Sequence, residues 1–101
     1  MGQVIGTDHY QASGYIGAAV LGQQVTLSFQ DFQTSAPETA LEAVLTINGN
    51  LAKRHLDLGP LPQGSTAFEM AVPPGTDMSL FNTVVIRLKD QETIVCRASV
   101  P

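Results

Sequence analysis

The sequence predicts an all-β domain: an antiparallel β-sandwich or flattened barrel of about seven to eight strands with one short helical turn. Three observations carry this prediction. Apolar and polar residues alternate with a period of two in several segments, as they do when one face of a strand is buried and the other is wet. Turn-forming residues recur about every 8 to 15 residues, the rhythm of a β domain. Charged residues make up 14% of the chain, against roughly 25% in an average domain, and Ser, Thr, Gln and Gly fill the wet positions instead.

The 101 residues fit a single domain spanning 1–101. Residues 15–21 are apolar with Gly17 inside, and Gly22-Gln23 follows as a turn. In residues 24–29, Val25, Leu27 and Phe29 alternate with Gln24, Thr26 and Ser28, so these two segments are expected to form a hairpin. Residues 31–37 read as a loop. Residues 41–47 read as a strand, although Pro37 and Glu38 at the start of 35–45 are also compatible with a helix opening. Asn48-Gly49 decides for the strand, because this pair accepts the two positive φ angles of a tight hairpin turn. The returning strand is 51–58, with Ala52, Arg54, Leu56 and Leu58 expected on one face and the Arg54 stem lying along apolar surface. Gly59 to Gly64, with two prolines, breaks the chain. Phe68, Met70 and Val72 then alternate with Glu69 and Ala71, and Pro73-Pro74-Gly75 ends that strand. Residues 76–81 read as a short helical turn capped by Thr76 or Asp77. Residues 83–89 form the clearest strand, with Val84, Ile86 and Leu88 inward; Asp90-Gln91 turns the chain, and 93–100 closes the sheet.

Composition excludes several function classes. Apolar residues are 44%, as in a folded globular domain. Five basic and nine acidic side chains leave a net charge of −4. Lys53, Arg54, Arg87, Lys89 and Arg97 lie in two sparse groups, so neither nucleic acid nor an anionic membrane surface is an expected partner. No run of 18 apolar residues predicts a membrane span. The first residues lack the basic and apolar regions of a signal peptide, and Gly6 stands where a myristoylation pattern wants Ser or Thr. The expectation is a soluble, acidic domain.

Candidate chemistry is sparse. Cys96 is the one cysteine, so no internal disulfide forms. A reactive thiol needs an electropositive, reachable setting. Cys96 instead shares strand parity with Ile94, Ala98 and Val100, with Arg97 on the opposite face, which predicts a buried, inert thiol. His9 follows Asp8, and His55 lies between Lys53 and Asp57 on a polar strand face; neither has metal-ligand spacing to Cys96. Asp31, Asp57 and Asp77 are placed at strand ends or turns, without the oxygen-dense loop that calcium takes. The glycines at 14, 17 and 22 lead into no helix, so they form no phosphate loop. No catalytic residue, metal or cofactor is expected.

Several phrases together carry a family resemblance: Ser13-Gly14, then Leu27-Ser28-Phe29-Gln30-Asp31-Phe32-Gln33-Thr34, Leu56-Asp57-Leu58-Gly59-Pro60-Leu61, the Phe68 strand, and Val72-Pro73-Pro74-Gly75 running on to Val84-Val85-Ile86. Over roughly residues 9 to 100 the chain resembles the DM-thirteen domain, also called electron-transfer DM-thirteen. The resemblance implies a compact β-sandwich-like module of secreted, lipid-anchored or cell-surface proteins, sometimes beside redox or haem-linked domains. The family's redox suggestion rests on a cysteine just after the Val-Val-Ile strand. Leu88 or Lys89 holds that place here, and Cys96 lies one strand later. Ser35-Ala36-Pro37-Glu38 also stands where the family tends to have Gly-Pro-Asp.

The expected function is a non-enzymatic binding or interaction module for a protein or small molecule. The alternative is a redox or electron-transfer accessory domain using Cys96. With few lysines to protect its sheet edges, the domain is also a candidate for a homodimer.

Overall fold

A computed structural model describes residues 2–37, 40–89 and 93–100. The all-β prediction holds. Two antiparallel sheets, of four and five strands, face each other across one core in a sandwich-like fold. Among the described residues there are nine strand segments: β1 (Gly2–Gln3), β2 (Ile5–Gly6), β3 (Ala12–Leu21), β4 (Gln24–Thr34), β5 (Leu41–Ile47), β6 (Asn50–Pro60), β7 (Phe68–Ala71), β8 (Thr83–Leu88) and β9 (Ile94–Ser99). The sheet orders are β1-β3-β4-β7 and β2-β9-β8-β5-β6.

The sequence reading did not anticipate the two short N-terminal strands. β1 pairs with β3 in one sheet and β2 with β9 in the other, so the chain changes sheets at Val4. Val4 is buried, and its N–H donates to the Gly14 carbonyl at 2.8 Å, which satisfies the backbone at the crossing.

The β3–β4 hairpin forms around Gly22-Gln23 as expected, but β4 does not stop at Phe29. It runs on to Thr34 through residues assigned to a loop. The cause is a β-bulge: Ser13 opposes Gln33 and Tyr15 opposes Gln30, so Asp31 and Phe32 together face Gly14. Asp31 takes φ 53° and Gly14 φ 121°. The extra residue inverts the alternation. Gln30 and Asp31 both face solvent, and Phe32 returns to the core. Asp31 is therefore inside a strand rather than at its end.

β5 has the expected bounds, and Asn48-Gly49 makes its turn with φ 57° and 79°. The buried Thr46 hydroxyl supports it, donating to the Thr83 carbonyl and accepting from the Gly49 N–H, both at 3.0 Å. β6 differs from expectation at its start. Thr46 pairs with His55 and the adjacent Ile47 with Asn50, so residues 51–54 bulge out of register. Leu56 and Leu58 pack on the core as expected, whereas Ala52 and Arg54 are exposed. Asp57 lies within β6, 3.2 Å from Arg87, and is not a turn residue.

Residues Met78–Leu80 form the expected helical turn, as a 3-10 helix. Asp77 caps it by accepting from the Ser79 N–H at 3.0 Å. The Ser79 hydroxyl and then the Ser79 amide hold the exposed Asp77 carboxyl below its ordinary pKa. In β8, Val84 and Ile86 are fully buried and Leu88 is partly so. β9 also contains a bulge, because Ile86 pairs with Cys96 and Arg87 with Ile94. Val95 thereby joins the core, and Ile94 moves to the outer face, away from Cys96. Glu38, Asp90 and Gln91, which carried part of the helix-opening and turn readings, lie outside the described residues.

Candidate functional site

The residues singled out for chemistry are kept apart by the fold. Cys96 sits on the core face of β9 with no exposed surface. Loss of solvation there pushes its thiol up to about 12. His55 is exposed on the edge strand β6, with Nδ1 2.9 Å from the Lys53 carbonyl oxygen. His9 is exposed in the loop between β2 and β3. Among the described residues, no three of His, Cys, Asp or Glu gather as a metal-holding group. No helix is long and apolar enough to cross a membrane.

A concave site appears instead at one end of the sandwich. It is a cavity of about 210 Å³ between the end of β4 and the chain that follows β6. Phe32, Leu41 and Leu61 form its floor, each at most 6% exposed, and Phe68 closes one side. Gln33, Thr34, Pro62, Ser65 and Thr66 line the remainder.

Each wall follows from local structure. Phe32 reaches the cavity because the Asp31 bulge turns it inward. Its ring lies edge-on to Phe29 and Phe68, at centroid distances of 5.9 and 6.2 Å, while Phe29 and Phe68 stack at 4.5 Å. Such a trio has little freedom to swing into the opening. The Leu61 N–H donates to the Leu41 carbonyl at 3.1 Å, which ties the post-β6 chain across the end of the core. The Phe32 N–H donates to the Thr66 carbonyl at 2.8 Å and anchors the far lip.

The rim is ordered by its own hydrogen bonds. The Thr34 hydroxyl donates to the Gln11 carbonyl at 2.8 Å, and the Ser65 hydroxyl donates to the Ala67 carbonyl at 2.7 Å. The Gln33 amide and the Thr66 hydroxyl make no side-chain hydrogen bond to other described residues. An apolar floor under a rim with two uncommitted polar groups suits a ligand that buries one apolar group and keeps a polar end at the mouth.

Sequence reasoning found Phe68 but missed the cavity, and it placed the chain break at 59–64 two residues early, because Gly59 and Pro60 still pair with Ala43 and Glu42 at the end of β6. The usable signal was Phe32: a large apolar residue in a supposed loop, one position out of phase with Phe29. No protein-family model matches the chain, and no curated protein or solved structure matches it.

Proposed function

We propose that the chain is a non-enzymatic binding module whose end cavity takes a single apolar group, an aromatic ring or a short branched chain, from a small molecule or a partner protein. The observation that supports this reading is the cavity itself: apolar walls held in place by the Phe29–Phe32–Phe68 trio, below a hydrogen-bonded rim. Its volume suits one ring of benzene size, since apolar cavities of roughly 150 Å³ accept benzene. The DM-thirteen resemblance agrees with an accessory module and stands as part of the same proposal.

The test is a titration with benzene followed by the methyl resonances of Leu41 and Leu61. Saturable shifts centred on those methyls, abolished in Thr66→Phe, support the site. Methyls unmoved up to the solubility limit of benzene, or moved equally in Thr66→Phe, refute it.

A further inference from the structure

The outer face of the five-stranded sheet carries a second concave region, unrelated to the end cavity. Cross-strand pairing places Ile5, Arg97, Val85, Val44 and Asp57 in one row across β2, β9, β8, β5 and β6. Val85 and Val44 have no exposed surface although they point away from the core. Arg97 stands opposite Val85 in the sheet, and arginine stems can cover apolar surface while their heads stay wet.

The two arginines of this face are treated differently. Arg87 is held by Glu42 at 2.6 Å and by Asp57 at 3.2 Å. Arg97 has no ion pair or side-chain hydrogen bond among the described residues. Its guanidinium lies near the Asn48-Gly49 turn, with Nη1 3.8 Å from where a side chain on Gly49 would begin. A hollow opens on each side of it. One, of about 430 Å³, is lined by Gln3, Ile5, Asn48, Thr83, Ala98 and Ser99 and contains no acidic side chain. The other, of about 270 Å³, presents Ile5 and Ile94 above the buried Val85 and is also lined by Asp8.

The larger hollow is preorganised. Asn82 accepts from the Asn48 N–H at 2.7 Å and donates to Asn48 Oδ1 at 2.8 Å, which fixes the Asn48 amide. Asn48 Nδ2 has no partner among the described residues, so it is a free donor beside a free guanidinium.

We infer that this face binds a small organic monocarboxylate, with the carboxylate on Arg97 and Asn48 and the apolar body against Ile5 and Ile94. One guanidinium fork matches one planar carboxylate. Asp8 disfavours a second negative charge in the adjoining hollow, and Ile5, 59% exposed, gives the tail apolar surface to cover.

The experiment is an amide chemical-shift titration of the whole chain with sodium hexanoate, at ionic strength held constant with sodium chloride. Saturable shifts are expected at Ile5, Asn48, Arg97 and Ser99. Affinity should fall at least about tenfold in Arg97→Gln, as loss of a charge-assisted hydrogen bond requires. It should fall less in Arg97→Lys, and Ile5→Ser should weaken hexanoate while leaving acetate unchanged. Acetate, hexanol and inorganic phosphate should each bind more weakly than hexanoate. No saturable shift on this face overturns the inference, as does equal binding by a folded Arg97→Gln. Phosphate binding tighter than hexanoate, or shifts confined to Leu41 and Leu61 at the end cavity, overturns it as well.

Discussion

Cys96 shows how burial decides the chemistry of one side chain. A thiolate is the reactive form, and a site without water disfavours it. With the thiol raised from its ordinary 9.0 to about 12, Cys96 is protonated at neutral pH. Labelling by a thiol reagent in the native state should therefore be slow and should speed up with denaturant, as stopped-flow absorbance would record; fast native labelling would revive the redox role. The sign of the linkage is set by the raised value. The folded state gains from a neutral thiol below pH 9, and that stability is lost as pH rises from 9 through about 12. Cys96→Ser should cost about 1–3 kcal/mol in urea denaturation, because a hydroxyl there needs a partner that the apolar core does not offer.

At the scale of an element, the bulge between β3 and β4 matters most. It returns Phe32 to the core and so builds the cavity floor. It also requires Gly14. A side chain there would begin 2.8 Å from the Asp31 and Gln30 carbonyl oxygens and from Phe32 Cα, all of them backbone atoms. Gly49 is a useful contrast. Its φ is also positive, but a side chain would meet its nearest atoms at 3.8 Å or more. Gly49→Ala should cost about 1–2 kcal/mol, the conformational term alone. Gly14→Ala should exceed that, because backbone must also move, and it should weaken benzene binding by displacing Phe32. Denaturation midpoints with benzene titrations would check both; equal costs would show that the bulge has room to relax.

Across the whole molecule, the two sheets share one apolar core whose centre is Phe29, 1% exposed and in ring contact with Phe32 and Phe68. Phe29→Ala should cost about 3–5 kcal/mol. Phe29→Asp should abolish folding, since burying an unpaired charge costs a large part of the roughly 5–15 kcal/mol that stabilises a domain. A dispersed amide spectrum for Phe29→Asp would contradict this placement of the core. The radius of gyration, 12.3 Å, is that of a compact chain of this length. Three of its pairings, β4–β7, β5–β8 and β2–β9, join strands far apart in sequence, which predicts folding in milliseconds to seconds.

Much of the all-β fold was legible in the residues because strand alternation and turn chemistry are local. Val25, Leu27 and Phe29, the Asn48-Gly49 turn, and Val84 and Ile86 each announce their structure within a few positions. The burial of Cys96 was legible for the same reason. The bulges were not. At Asp31 and at Val95 one extra residue inverts the parity on which strand reading depends, and only the partner strand reveals it. Tertiary structure alone placed Phe32 beside Leu41, Leu61 and Phe68, and left Arg97 beside Asn48 with no ion pair among the described residues while Arg87 was neutralised. Those juxtapositions depend on which strands neighbour which, a long-range choice that periodicity does not carry.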